Sequence, residues 1–84
     1  MTYSIRILRR AQRELSQLPN ASYKRVRDVI WLLKDDPSPH GCRKLVGREG
    51  WRIRVGNYRV IYEIDEIRHI LTILHVGHRR DIYR

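Results

Sequence analysis

Apolar and polar residues alternate through Trp51-Arg52-Ile53-Arg54-Val55 and again from Tyr58 to Val60, with only Gly56-Asn57 between the two runs. A two-residue loop opening on glycine between alternating segments predicts a β-hairpin. Closing it on that turn pairs Val55 with Tyr58, Arg54 with Arg59, Ile53 with Val60 and Arg52 with Ile61. Side chains alternate along a strand, so Trp51, Ile53, Val55, Tyr58, Val60 and Tyr62 share an apolar face. Arg52, Arg54 and Arg59 then gather on the other. Like charges directly opposite one another weaken a sheet, so this cluster needs a reason beyond folding, and a bound polyanion supplies one.

The rest of the chain divides by the same logic. Tyr3 to Ile7 alternates and predicts a strand. Leu8, Ala11, Leu15 and Leu18 follow at helical spacing until Pro19. Asn20 or Ser22 is positioned to cap a second helix with the stripe Tyr23, Val26, Ile30 and Leu33, ending before Pro37. The short connection between them makes an antiparallel helical hairpin. After the irregular loop Pro37 to Gly41, Cys42 to Val46 predicts a short strand and Gly47 to Gly50 a turn. The strand from Tyr58 runs to about Asp65, and Asp65 to Arg68 turns the chain. Ile70 to Val76, apolar on both faces, predicts a central strand. The expected fold is α+β: an N-terminal strand and a two-helix antiparallel hairpin packed on a three- to four-stranded, mainly antiparallel sheet.

Length and composition limit the function classes. At 84 residues the chain makes one domain, 1–84, with a modest core. Eighteen basic residues against nine acidic give +9, and only Lys24, Lys34 and Lys44 among the basic ones are not arginine. Arginine forks onto phosphate oxygens and stacks on bases, so the excess points to nucleic acid, with an acidic protein partner as the alternative. No apolar run approaches the roughly 18 residues of a membrane span, and no signal-peptide core opens the chain. The single Cys42 has no zinc-like partner spacing and fits a reducing compartment. The expectation is a cytoplasmic protein without metal or cofactor.

Three stretches carry a resemblance: Lys44-Leu45-Val46-Gly47, then Trp51 through Asp65, then His75-Val76-Gly77-His78-Arg79-Arg80-Asp81-Ile82-Tyr83-Arg84. Together they resemble the RelE/ParE toxin superfamily over nearly the whole chain. The resemblance implies a toxin of a type II toxin–antitoxin pair. In the RelE branch it implies a ribosome-dependent endoribonuclease that cuts mRNA in the A site without a metal. The RNA's own 2′-hydroxyl attacks the adjacent phosphate there, leaving a 2′,3′-cyclic phosphate and a 5′-hydroxyl.

Carried over by position, the resemblance implies catalytic roles for Arg52 and Arg54, for Arg59 on the scissile phosphate, and for Arg79 on the phosphorane or leaving oxygen. Tyr83 would stack on or orient the nucleotide beside the cut. Arg43, Lys44, Arg48 and Arg80 are further candidates for contacting RNA. Where this chain has Arg52 and Arg54, RelE-branch toxins commonly have lysines. Arginine stays protonated and is a poor general base, so the guanidiniums are expected to act electrostatically. His75 and His78 are secondary candidates for proton transfer, with a structural role as the alternative. The implied partners are a cognate acidic antitoxin, the ribosome and mRNA, with operator DNA reached only through the antitoxin and no membrane. Two alternatives stand beside the nuclease: a ParE-like inhibitor of DNA gyrase, and a catalytically weak toxin acting mainly within the antitoxin complex.

Overall fold

The computed structural model describes residues 2–78. They form β1 (Ser4–Ile7), α1 (Arg9–Ser16), α2 (Asn20–Leu33), β2 (Arg43–Lys44), β3 (Trp51–Val55), β4 (Tyr58–Asp65) and β5 (Ile70–His78). The strands build one five-stranded sheet in the order β1-β5-β4-β3-β2. β1 runs parallel to β5, and every other neighbouring pair is antiparallel. The helical hairpin carries the chain from one sheet edge to the other, and the last four strands meander back to pair with the first. The N-terminal strand joins the sheet at one edge and Arg43–Lys44 completes the other, so the expected first strand and four later ones are all present.

The helices cover one face, α1 against β5 and α2 against β3. Ala11 and Leu15 from α1 and Val26, Ile30 and Leu33 from α2 meet Val55, Val60, Tyr62, Leu71, Ile73 and Val76 from the sheet. Val60, Leu71 and Ile73 are fully buried, and a side chain so enclosed contributes about 1.5–3 kcal/mol of transfer free energy. Tyr62 is also fully buried, and its hydroxyl donates to the Pro37 carbonyl at 2.8 Å. Burial pushes its phenol well above the ordinary range, with the neighbouring Cys42 and then Asp36 adding in the same direction. The bond pins the proline-rich loop onto the core.

Two local expectations are corrected. Neither Asn20 nor Ser22 caps α2. Pro19 is the N-cap, with φ −55 and ψ 149 and no side-chain bond, and its carbonyl accepts the Tyr23 N–H at 2.8 Å. The fixed proline φ delivers the chain into the helix one residue before a side-chain cap is available. The strand expected over Cys42 to Val46 shrinks to Arg43–Lys44. Gly47 and Gly50 adopt φ +77 and +120, so the backbone leaves the ladder early, and Leu45 N–H closes back on the Gly50 carbonyl at 3.0 Å.

The β4–β5 ladder contains a feature that alternation alone does not reveal. Ile61 pairs with His75, yet Tyr62 pairs with Ile73, leaving Leu74 as an extra residue. On β5 the core positions are therefore Leu71, Ile73 and Val76, a change of parity within one strand. A bulge of this kind re-aims the side chains beyond it. His75, which strict alternation from Ile73 would turn toward the helices, is placed opposite Ile61 instead.

Candidate functional site

The hairpin register agrees pair for pair with the one read from Gly56-Asn57: Val55 with Tyr58, Arg54 with Arg59, Ile53 with Val60, Arg52 with Ile61. Gly56 takes φ +60, the left-handed conformation that the tight turn requires. Arg43 on β2 pairs with Arg52, so the uncovered side of the sheet carries two like-charged cross-strand pairs, Arg43/Arg52 and Arg54/Arg59. Arg52 and Arg59 are half-buried, while Arg43 and Arg54 are exposed. Arg59 stands opposite Gly77, so no side chain from β5 fills the position beside it. Ile61 is buried at 7% exposure but lies outside the main core cluster, as its place between Arg59 and Glu63 on the arginine side requires.

Other groups approach from outside the hairpin. Arg54 Nε donates to the Gly56 carbonyl at 3.2 Å, which folds its guanidinium over the turn. Arg25 of α2 reaches the same turn, where its Nη1 would lie 3.3 Å from a Cβ placed on Gly56. Composition and alternation gave no sign that an α2 arginine would join the hairpin tip.

Of the histidines, His75 is brought to the rim of this side, while His78 pairs with Tyr58 on the apolar side. β1 pairs with β5 only as far as Ile73, so among the described residues no strand lies beside the outer edge of β5 beyond that point. Glu14 of α1 takes the vacant place, its Oε1 accepting the Val76 N–H at 2.9 Å. The same carboxylate holds His75 Nδ1, at 2.8 Å from Oε1 and 2.7 Å from Oε2. His75 Nε2 faces Arg10 Nη2 at 3.4 Å. His78, at the end of β5, sets its ring edge against Tyr58 with centroids 5.7 Å apart.

The remaining candidates separate. Lys44 pairs with Trp51, on the opposite side of the ladder from Arg43, and lines a groove of about 670 Å³ with Glu49, Glu63, Asp65 and Glu66. Arg48 is exposed in the turn between β2 and β3. Arg79, Arg80 and Tyr83 lie outside the described residues. Charge is thus polarised along β4, cationic near the Gly56 turn and anionic near Asp65. Trp51 and Tyr58, which alternation puts on the apolar face, are half-buried and pack against the central cluster.

A single sheet thus carries a helical hairpin on one face and guanidiniums on the other. The chain belongs to the ParE toxin family of type II toxin–antitoxin systems, whose model matches residues 5–83. Within the RelE/ParE superfamily it is 35% identical to toxin RelG of Mycobacterium tuberculosis over 88 aligned positions, covering 100% of this chain and 99% of that one. Its fold superposes on the archaeal RelE–RelB complex of Pyrococcus horikoshii with a TM-score of 0.85 at 31% identity, covering 96% of this chain and 99% of that one. The RelBE2 toxin–antitoxin complex of M. tuberculosis gives 0.83 at 28% identity, with 94% and 100% covered. The protein is a RelE-type toxin of a toxin–antitoxin system.

Proposed function

We propose that this toxin is a ribosome-dependent mRNA endoribonuclease, cutting in the A site by attack of the RNA 2′-hydroxyl on the adjacent phosphate. The observation that carries the reading is the pair of like-charged cross-strand contacts, Arg43/Arg52 and Arg54/Arg59, on one side of the sheet. Such pairs cost the fold stability, and a phosphodiester gaining negative charge in its transition state gives that arrangement a use. Arg59, half-buried beside Gly77, is suited to grip the scissile phosphate, with Arg52 and Arg54 stabilising the phosphorane. Arg79 and Tyr83 complete the proposed catalytic set, and Arg43, Lys44, Arg48 and Arg80 contact RNA or ribosome farther from the cut.

The partner that restrains this activity is a cognate acidic antitoxin. A charge of +9 favours an acidic segment that covers the arginines. A mostly apolar groove of about 420 Å³ between β1 and the helices, lined by Ile5, Ile7, Leu15, Tyr23 and Trp31, offers such a segment a seat. Trp31 is 61% exposed there, with Lys34 Nζ 4.1 Å above its ring. Operator DNA is reached through the antitoxin, and action on ribosomes makes the toxin cytoplasmic.

Primer extension on ribosome-bound message tests the reading: added toxin is expected to yield discrete A-site stops with 2′,3′-cyclic phosphate ends. Intact message on toxin-bound ribosomes would favour a toxin acting only within its antitoxin complex. The matched family takes its name from ParE, which keeps a gyrase-directed reading in view. Replication stopping before translation after expression would select that one.

A further inference from the structure

Resting on the nuclease reading, we propose that His75 is the group that takes the proton from the attacking 2′-hydroxyl, and that Glu14 is its positioning residue. The arginine cluster has charge but no proton acceptor, because guanidinium does not titrate in proteins. An acceptor must come from elsewhere, and the bulge at Leu74 brings one to the arginine side. His75 stands opposite Ile61, whose other cross-strand partner is Arg52, so histidine, isoleucine and arginine form one row across the sheet. Arg59 is two residues along β4 from that row.

The hydrogen bonds define the ring. A carboxylate accepts only, so Glu14 at 2.7–2.8 Å fixes a proton on Nδ1. Arginine donates only, so Nε2 facing Arg10 is the acceptor nitrogen. Glu14 is itself anchored by the Val76 N–H. A carboxylate on Nδ1 with Nε2 directed outward is the arrangement in which an oriented imidazole serves as a base. The side chains of His75 and Glu14 are each 22% exposed, whereas that of Arg10 is 68% exposed and approaches Nε2 at a long 3.4 Å. A substrate hydroxyl can take Arg10's place and leave that guanidinium for a phosphate oxygen. Among the described residues, the charged groups bonded to the ring are Glu14 and Arg10 from α1, while Arg59 on β4 and Arg52 on β3 lie on the same side of the sheet. Its direct partner on β4, Ile61, is apolar.

In the step itself the 2′-oxygen bonds to phosphorus as its proton passes to Nε2. The bond from phosphorus to the 5′-oxygen then breaks. The departing 5′-oxygen takes a proton from water, and the imidazolium returns its own to the hydroxide left behind, so no species is consumed. A positioned base of this kind accelerates such a step by about 10²–10⁴-fold.

The test is single-turnover cleavage of ribosome-bound mRNA across pH, with His75→Asn and Glu14→Gln beside wild type. Asparagine keeps an N–H where Nδ1 meets Glu14 but offers nothing at Nε2. It is expected to lose at least about 100-fold in rate, with unchanged thermal unfolding and ribosome binding. Glu14→Gln keeps one carbonyl oxygen to accept the Val76 N–H but sets an amide NH2 in place of one of the two oxygens that meet His75 Nδ1, and carries no charge. Its rate should fall, though less than that of His75→Asn, while ribosome binding and thermal unfolding stay at wild type, a split that a merely structural glutamate would not produce. His75→Asn cutting within about threefold of wild type, while Arg59→Ala is dead, overturns the histidine's role alone. A wild-type protein that cuts nothing overturns this role and the nuclease reading together.

Discussion

Arg54 stands directly opposite Arg59 in the β3–β4 ladder, two cations where a neutral pair would be more stable. Directly opposed side chains of this kind shift stability by about 0.2–1 kcal/mol. Arg54→Thr, which supplies a good strand former at an exposed position, is therefore expected to raise the unfolding free energy by about 0.5 kcal/mol while weakening the toxin. Denaturant titration checks the first half and growth arrest on expression the second. A variant that loses both stability and toxicity would mean the pair serves the fold.

The Tyr62 hydroxyl offers a stability test independent of function. Tyr62→Phe removes the bond to the Pro37 carbonyl and should cost about 1 kcal/mol, read as a lower denaturant midpoint. The raised phenol also gives a pH dependence. Below the ordinary phenol value of 10.0 both folded and unfolded chains hold the proton. Above it the unfolded chain releases the proton first, so stability falls as pH rises. That alkaline loss should be smaller in Tyr62→Phe.

Gly50 is the most constrained turn position. It adopts φ +120, and a Cβ there would lie 3.0 Å from Leu45 Cδ1 and 3.2 Å from the Tyr62 carbonyl oxygen. Gly50→Ala should destabilise by about 2 kcal/mol or more through strain and displacement of β4 backbone. Thermal unfolding measures it directly. Gly47, with open space around its Cβ position, should respond less.

Trp31 is exposed, so its truncation should change antitoxin affinity far more than stability. Trp31→Ala is expected to weaken binding of the cognate antitoxin by at least about tenfold, as loss of an aromatic anchor does. Calorimetric titration against the antitoxin supplies the number, and an unchanged affinity would move the antitoxin seat off this groove.

Much of the sheet was legible because Gly56-Asn57 leaves one register for the hairpin, and that register assigns Arg52, Arg54 and Arg59 to a common side. The Asp65 turn was equally legible: its Oδ1 accepts the N–H groups of Ile67 and Arg68 at 3.1 and 2.9 Å, as aspartate does in turns. The bulge at Leu74 was not, because β5 is apolar on both faces and a shift of parity leaves no mark on such a run. Glu14 was hidden for a related reason. On α1 it is one polar residue among several, and its use depends on β1 ending at Ile7, opposite Ile73, a fact of tertiary pairing. Arg25 at the hairpin tip escaped for want of any local signal. Arg79, Arg80 and Tyr83 rest on the resemblance alone.

We propose that the Arg59 guanidinium, opposite Gly77, holds a phosphate undergoing cleavage. Arg59→Ala, assayed for cutting of ribosome-bound mRNA in a preparation whose unfolding curve matches wild type, tests it most directly. We predict a loss of about 10²–10³-fold in rate. A folded Arg59→Ala protein that cuts as fast as wild type would contradict it.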